Sequence, residues 1–334
     1  MTGAKLARTL ALMVAAPIFM TACAKSSQSE MGASATPTSA SIVNGQDATP
    51  ALIGPSGIAN SVVAIFALND AKTGMGALCT GTLISRTVIL TAGHCLIDAP
   101  PGAKVYVTFQ TLNWDKEHSP SNTVIAARYV IHPNYVAAKV NKTVDQVDDL
   151  ALVLLPAPAP ASVSPARLPT PGINLAAMGG ATAIGYGEND DRPVPADPNG
   201  GAGVLRYTQF TGPIGLYNGR NLLRGMIVTN SPTTGTCHGD SGGPLFAGTG
   251  SQIQNVVVGV TDLGFPDFTG QEATDYQAAS KDGGDMKAFG AKYPNAHQCL
   301  GVTAWVYVTS HVPWITQTAN ALIAGAGQGQ QGQP

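Results

Sequence analysis

Gly239-Asp240-Ser241-Gly242-Gly243-Pro244 is the stretch of this sequence that says most about its fold. Its glycines permit a tight turn in which backbone amides converge beside a serine hydroxyl. Gly-rich turns are common, so the meaning of this one depends on the polar residues that precede it in the chain.

Two upstream segments supply the groups that a reactive serine needs. Thr91-Ala92-Gly93-His94-Cys95 follows one apolar run, and Asp149-Leu150-Ala151-Leu152 places an acid at the head of another. Acyl transfer at neutral pH requires a hydroxyl nucleophile, an imidazole base and a buried carboxylate. The three segments together, in the order His, Asp, Ser, indicate this chemistry.

The composition excludes one broad class of function and favours one class of fold. The 334 residues carry 18 Lys plus Arg against 20 Asp plus Glu, a net charge of −2. A nucleic-acid binder needs a dense basic face to neutralise phosphates, so no nucleic-acid partner is expected. The 39 glycines and 24 prolines are spread between apolar runs, which is typical of short strands joined by turns.

The apolar runs predict an all-β fold. The predicted strands are Val62 to Leu68, Val88 to Thr91, Lys104 to Phe109, Val124 to Ile131, Leu150 to Leu155, Ala181 to Tyr186, Val204 to Phe210, Met226 to Thr229, Val256 to Thr261 and Ala304 to Thr309. Only residues 313–324 show helical spacing, with Pro313 in the first turn and Gly325 after the last residue. A Gly/Gln-rich tail over 325–334 is expected to be disordered.

The N-terminus has the pattern of an export signal over residues 1–24. Lys5 and Arg8 precede an apolar run, Thr9 to Met20, that is too short to span a bilayer. Its end, Met20-Thr21-Ala22-Cys23, resembles a lipobox in which Cys23 would be lipidated. Ala22-Cys23-Ala24 offers the alternative of an ordinary signal-peptidase site. Residues 25–41 are interpreted as a pro-segment or tether.

Five cysteines leave one residue over when disulfides form. Cys23 belongs to the export segment, so four remain for pairing in an oxidising compartment. Four cysteines allow three connectivities, and composition does not choose among them.

From Ile42 to about Ile315 the sequence resembles the trypsin/chymotrypsin family of serine proteases. Together with the export signal, this is the pattern of an exported bacterial member. Besides the three segments above, the resemblance includes Ile42-Val43-Asn44-Gly45, His132-Pro133-Asn134-Tyr135, Gly185-Tyr186-Gly187, Met226-Ile227, Pro244-Leu245 and Trp314-Ile315. It implies two packed antiparallel β-barrels with a short C-terminal helix, over 42–324, and a catalytic site in the crevice between the barrels.

The resemblance also implies a role for each residue of the site. Ser241 would be the nucleophile, His94 the general base and then acid, and Asp149 the carboxylate that orients it. Asp148 is the competing carboxylate, but only Asp149 is followed by the family's D-x-A-L pattern. The oxyanion hole would consist of the N–H groups of Gly239 and Ser241.

By the same resemblance the full-length chain is a zymogen. Cleavage before Ile42 would free an amine that pairs with Asp240 and orders the oxyanion loop. The disulfides that the resemblance implies are Cys79 with Cys95, beside His94, and Cys237 with Cys299, beside the specificity pocket.

Four positions are expected to set substrate specificity: Gly235, His238, Gly264 and Thr303. Gly235 stands where trypsin-like members carry an acid, so cleavage after basic residues is disfavoured. Thr303 stands where a pocket-wall glycine is usual and would shorten the pocket. We therefore expect a preference for small or medium apolar residues, with larger residues as the alternative if the wall aligns differently near Gly301.

Two further features depart from the family pattern. Asp262 replaces a serine beside the triad carboxylate, and Leu263 replaces a tryptophan. Two nearby carboxyls would raise the pKa of one of them, and a protonated Asp262 could donate a hydrogen bond as the serine does; the alternative is that Asp262 points outward. The polar stretch 265–298 is interpreted as an inserted loop over the cleft, either a lid or exosite or a tolerated surface insertion.

The predicted function is therefore an exported serine endopeptidase that acts on proteins or peptides and is activated by another protease or by itself. A catalytically silent binding module and a lipid-anchored structural lipoprotein are the alternatives. The protein would be periplasmic, secreted or anchored to the cell envelope, and would contact a membrane only through lipidated Cys23 of the precursor. No cofactor and no metal site is predicted, because His118, His132, His297 and His311 show no metal-like spacing.

Overall fold

The computed structural model describes residues 42–48, 57–68, 75–99, 103–109, 123–192, 200–219, 222–281 and 284–325. The predicted export signal with Cys23, the predicted pro-segment over 25–41, the tail after Gly325 and His118 lie outside these ranges. Within the described residues, no helix has both the length and the apolar content to cross a membrane.

The described residues form two seven-stranded antiparallel sheets. The first contains β2 (Val62–Leu68), β3 (Met75–Leu83), β4 (Val88–Thr91), β5 (Lys104–Thr108), β6 (Thr123–Ile125), β7 (Arg128–Ile131) and β8 (Ala151–Leu154), in the order β6-β5-β2-β3-β4-β8-β7. The second contains β1 (Gln46–Asp47), β9 (Gly180–Gly185), β10 (Arg206–Thr211), β11 (Ile227–Ser231), β12 (Pro244–Ala247), β13 (Val257–Pro266) and β14 (Gly301–Tyr307), in the order β1-β10-β9-β12-β13-β14-β11.

Each sheet encloses its own apolar core, and a third core joins the two sheets. On β2, Val63 and Ile65 face the core of the first sheet, whereas Ala64 and Phe66 face the shared core. Successive side chains of a strand point to opposite faces, so a strand buried on both sides is continuously apolar. In the second sheet Trp305 occupies the enclosed core. The predicted all-β architecture of two packed sheets is confirmed.

In the described part of the chain, five α-helices lie outside the sheets. They are α1 (His94–Ile97), α2 (Pro133–Val140), α3 (Gly270–Ala279), α4 (Met286–Lys292) and α5 (Val308–Gly325). The C-terminal helix α5 buries Val308, Ile315 and Leu322, which are seven residues apart and therefore share one face, in the shared core. Arg128 Nη2 donates to the carbonyl of Gly325, 2.5 Å away, at the end of this helix.

The structure corrects several of the expected element boundaries. The strand predicted over Val124 to Ile131 is two strands, because the chain exchanges β5 for β8 as its partner near Ala127, whose N–H donates to Leu154. Helix α5 begins at Val308 instead of Pro313 and includes Gly325, the first residue of the predicted tail. The stretch 265–298 is not an extended loop, since it continues β13 to Pro266 and then forms α3 and α4.

Candidate active site

The imidazole of His94 lies at the start of α1, directly after β4. Its Nδ1 is 2.5 Å from Asp149 Oδ2, and its backbone N–H donates to Asp149 Oδ1 over 2.7 Å. A Cβ at Gly93 would lie 2.9 Å from Asp149 Oδ1, so this close approach requires glycine. A carboxylate bound to Nδ1 fixes the tautomer that leaves the Nε2 lone pair free.

Asp149 is fully buried and lies two residues before the start of β8. Because β8 pairs with β4, with Ala151 opposite Thr91, the sheet register brings the acid to His94 across 55 residues of sequence. The competing candidate, Asp148, points elsewhere: its Oδ1 lies 2.7 Å from His311 Nε2. The structure thus brings Asp149, and not Asp148, to His94.

Ser241 is positioned by its backbone. Its carbonyl accepts a hydrogen bond from Thr80 N–H at 2.8 Å, and the sulfur of Cys95 lies 3.6 Å from the same oxygen. Gly242 is required next to it, because a Cβ there would lie 2.1 Å from Thr91 Oγ1. Among the described residues, the Ser241 hydroxyl makes no hydrogen bond to His94. Catalytic hydrogen bonds commonly tighten only when substrate binds.

The N–H groups of Gly239 and Ser241 are free to receive an anion. Neither donates a hydrogen bond within the described part of the chain. The carbonyl of His238 accepts from Glu188 N–H at 2.8 Å, and in a trans peptide this directs the N–H of Gly239 the opposite way. Gly239 has φ +96°, a conformation that only glycine adopts readily.

Asp240 is buried beneath this loop. Its carboxyl accepts hydrogen bonds from the N–H groups of Gly187 and Cys237, both at 2.8 Å. A Cβ at Gly185 or Gly187 would lie within 3 Å of the carboxyl, which explains the glycines around Tyr186. Burial raises the pKa of Asp240 to about 7. Ile42 is also buried, and its contact with Asp240 remains a prediction.

Asp262 points inward and not toward the insertion. Its Oδ1 lies 4.0 Å from His94 Nδ1, and only 3% of its side chain is exposed. Burial, and next the charge of Asp149, raise the pKa of Asp262 well above its ordinary value, and a hydrogen bond to Asp149 acts in the same direction. The Gln146 side-chain amide lies 3.0 and 2.9 Å from Asp262 Oδ1 and Oδ2.

The expected specificity positions lie around the start of β14. Gly264 pairs with Thr303 in the β13–β14 register, and Thr303 Oγ1 is 3.1 Å from Thr236 Oγ1. A Cβ at Gly235 would lie 2.1 Å from the carbonyl oxygen of Cys299, so no acid fits there without backbone movement. His238, by contrast, is exposed.

Both expected disulfides are present. Cys79 is bonded to Cys95 and Cys237 to Cys299. The first ties β3 to the helix that carries His94, and the second ties the segment before the oxyanion loop to the segment before β14.

The sequence profile of the trypsin family matches residues 59–280. The chain belongs to the trypsin family. This trypsin-family chain is 30% identical over 215 residues to the cercarial protease of Schistosoma mansoni, across 57% of the chain and 74% of that protein. It is 27% identical over 192 residues to brachyurin of Leptuca pugilator, across 56% and 75%. Among solved structures, HL collagenase superposes with a TM-score of 0.53 at 20% identity, across 84% of this chain and 99% of the other, so the two share the fold.

Two residues of the trypsin-family site were not found from the sequence. Thr236 directly follows Gly235, a predicted pocket residue, and this adjacency could have identified Thr236 as part of the pocket. Gln146 gave no signal, because the contact with Asp262 forms only through the fold.

Proposed function

We propose that this member of the trypsin-like serine protease family is an exported endopeptidase that uses Ser241, His94 and Asp149. The observation that carries the proposal is the buried Asp149 carboxylate bound to both Nδ1 and the backbone N–H of His94. This contact fixes the orientation of the imidazole and would stabilise the imidazolium that forms during the reaction.

The chemistry follows from this arrangement. His94 Nε2 takes the hydroxyl proton as Ser241 Oγ bonds to the scissile carbonyl carbon. The N–H groups of Gly239 and Ser241 stabilise the oxyanion, and loss of one such donor costs about 3 kcal/mol in transition-state stabilisation. His94 then protonates the leaving amine as the C–N bond breaks. Water hydrolyses the acyl-enzyme by the same steps in reverse.

We further propose that the chain is made as a precursor. The export segment directs it out of the cytoplasm, and cleavage between Ser41 and Ile42 frees the amine that pairs with Asp240. Burial of Ile42 and of the Asp240 carboxyl supports this step. If Cys23 is lipidated, only the precursor is anchored; palmitate labelling that disappears in Cys23→Ala tests this, and an unlabelled precursor excludes the anchor.

The substrate pocket is proposed to accept small or medium apolar residues. Thr303 and Thr236 fill its base, and Gly235 leaves no room for an acid that would bind Arg or Lys. A pocket of this kind is compatible with cleavage after Ser41, so we propose self-activation.

A fluorophosphonate probe tests the nucleophile and the activation step together. We expect wild-type protein to begin at Ile42 and to carry the probe on Ser241. Ser241→Ala should be unlabelled, should remain uncleaved, and should lose peptide hydrolysis by a factor of about 10⁶. Ser251→Ala, at an exposed serine, is the matched control and should behave as wild type. Processed wild-type protein that does not react would instead indicate a silent binding module, and Ser241→Ala protein that matures unaided would exclude self-activation.

A further inference from the structure

Three side chains from separate segments meet on the far side of the catalytic carboxylate. They are His132, at the N-terminus of α2; Asp148, next to Asp149; and His311, on α5. Asp148 Oδ1 lies 2.7 Å from His311 Nε2 and 3.8 Å from His132 Nδ1. All three donor atoms lie within 4.8 Å of one another.

His132 has an unpartnered nitrogen aimed into this cluster. Only 9% of its side chain is exposed, and within the described residues its Nδ1 has no hydrogen-bond partner. Its ring packs edge-on against Trp314, with the ring centroids 4.5 Å apart. Buried polar groups are nearly always satisfied, so an orphaned imidazole nitrogen marks a site with a missing partner.

His311 presents a ring nitrogen to the same point. Its Nδ1 lies 2.9 Å from the carbonyl oxygen of Tyr307 and 3.0 Å from Ser310 Oγ. Its Nε2 lies 2.7 Å from Asp148 Oδ1, the same carboxylate oxygen that His132 Nδ1 faces.

The surrounding contacts are those of a metal site. Imidazoles that bind metals usually have their second ring nitrogen next to a carbonyl or carboxylate, and His311 Nδ1 lies 2.9 Å from the Tyr307 carbonyl oxygen. Asp148 Oδ2 accepts from Asn134 Nδ2 at 2.9 Å, which holds the carboxylate with Oδ1 toward the two imidazoles. The cluster borders an open cleft of 640 Å³, whose walls include Leu216, Tyr307 and Pro313.

We propose that His132, Asp148 and His311 bind one divalent transition-metal ion of the zinc type, with water from the cleft as the fourth ligand. Two imidazoles and one carboxylate suit Zn²⁺, whereas Ca²⁺ and Mg²⁺ prefer oxygen ligands throughout. Tetrahedral ligands about 2.1 Å from zinc are about 3.4 Å apart. The contact between His311 and Asp148 must therefore open slightly and that between His132 and Asp148 must close slightly.

This site does not depend on the proposed catalysis, and sequence spacing could not reveal it. His311 is 163 residues from Asp148, and the two meet only because α5 packs against β8. His132 and His311 have no metal-like spacing in the sequence. In the folded chain, however, both lie close to Asp148.

Zinc titration of untagged Ser241→Ala protein tests the proposal, because this variant does not digest itself. Calorimetry with ZnCl₂ should show one ion per chain. His311→Ala and Asp148→Asn should each weaken binding at least 100-fold, and Asn134→Ala should weaken it about 10-fold through the carboxylate it holds. Co²⁺ in place of Zn²⁺ should give the intense visible absorption of a tetrahedral site in the parent and not in His311→Ala.

Two controls make the result specific. His297 lies 2.6 Å from Asp191 without a second histidine, so His297→Ala should bind zinc as the parent does. His94→Ala should also bind normally. The proposal is wrong if the parent binds no stoichiometric zinc, or if binding is lost with His94 and kept in His311→Ala. Near-ultraviolet circular dichroism establishes whether each variant is folded. If His311→Ala is unfolded, zinc binding by Asp148→Asn provides the test instead.

Discussion

Asp262 places a second buried carboxyl beside a single imidazole. Two carboxylates in this environment repel each other, so the proton that Asp262 retains lets it donate to Asp149. In this form Asp262 performs the hydrogen bonding of a neutral hydroxyl and adds no charge to the site. The replacement of serine by aspartate is therefore compatible with an active enzyme at any pH below the raised pKa of Asp262.

Replacing Asp262 with asparagine should change how stability depends on pH. The unfolded chain releases the Asp262 proton near pH 4, whereas the native protein retains it to higher pH. Wild-type stability therefore falls as pH rises from about 4 toward the raised native pKa, and Asp262→Asn has no proton to lose. In a Ser241→Ala background, the Tm of the variant relative to the parent should increase between pH 4 and pH 8. Exposed Asp267→Asn should show no such trend, and a flat difference for Asp262→Asn would refute a protonated Asp262.

Thr303 is the residue that should limit the size of the side chain accepted before the scissile bond. It is 2% exposed, and its hydroxyl meets Thr236. Thr303→Gly should raise kcat/KM for Phe substrates relative to Ala substrates by roughly tenfold or more, because pocket volume discriminates on this scale. Val302 is next to Thr303 in β14, and its side chain points to the opposite face of the sheet. Val302→Gly is therefore the control and should leave the ratio of Phe to Ala substrates unchanged. An unchanged ratio in Thr303→Gly would place the pocket elsewhere.

Helices α3 and α4 form a small unit with contacts of its own. Phe268, Tyr276, Phe289 and Tyr293 pack together, and Asp275 accepts from Gln271, Lys292 and Tyr293. The side chain of Asp285 accepts from Ala288 N–H at the start of α4. These contacts explain why a polar stretch without an apolar stripe is nevertheless folded.

Phe289→Ala should unfold this unit and leave the sheets intact. Phe289 is 4% exposed, and loss of a buried phenyl ring costs about 3–5 kcal/mol. Hydrogen exchange should show loss of protection over 270–281 and 284–292, with protection of β9 and β12 unchanged. Phe265→Ala, at a position 40% exposed, is the control and should have little effect. Equal loss of protection in the sheets would mean that the unit is not independent.

The elements differ in how well their sequences predict them. Strands such as β2 and β8 are recognised because they are apolar, β-branched and bounded by turn residues. Met75–Leu83 forms β3 despite its glycines and threonines, because its partners β2 and β4 supply the packing that its own residues do not indicate. Helices α1 and α2 are not predicted because each is short and packs on residues distant in sequence. Helices α3 and α4 are not predicted because their polar sequence has no apolar stripe.

The precursor and the processed enzyme should differ in how they use Asp240. In the uncleaved chain the carboxyl is buried and its pKa is raised to about 7. Since the unfolded group ionises near pH 4, the precursor should lose roughly 4 kcal/mol of stability between pH 4 and pH 7 through this residue. Pairing with the Ile42 amine would stabilise the ionised form and remove this loss.

Asp240→Asn separates the two states. In a Ser241→Ala precursor, the Tm of the variant relative to the parent should rise between pH 4 and pH 7, because asparagine does not titrate. With Ser241 restored, Asp240→Asn protein cut before Ile42 should lack activity, since the oxyanion loop has lost its ion pair. Thermal unfolding and peptide hydrolysis provide the two measurements, and a fully active processed variant would contradict the proposed activation.

The organisation of the site was predicted in part from sequence. Residues held by local motifs, such as Gly93 beside His94 and Gly242 beside Ser241, could be identified because each motif is short and ordered. The contact of Asp262 with Gln146 and the meeting of His132 with His311 depend on how separate segments pack. The family pattern includes neither contact, so the residues along the chain do not predict them.

The insertion begins and ends at one place in the second sheet, where Pro266 of β13 pairs with Gly301 of β14. This residue pair and the Cys237–Cys299 disulfide fix the ends of the insertion, so the sheet constrains neither the length nor the internal fold of the residues between them. Closing a longer loop costs free energy that grows only with the logarithm of its length. This junction could therefore accept a different segment in one genetic event, and a protein engineer could graft a binding module at the same position without redesigning either barrel.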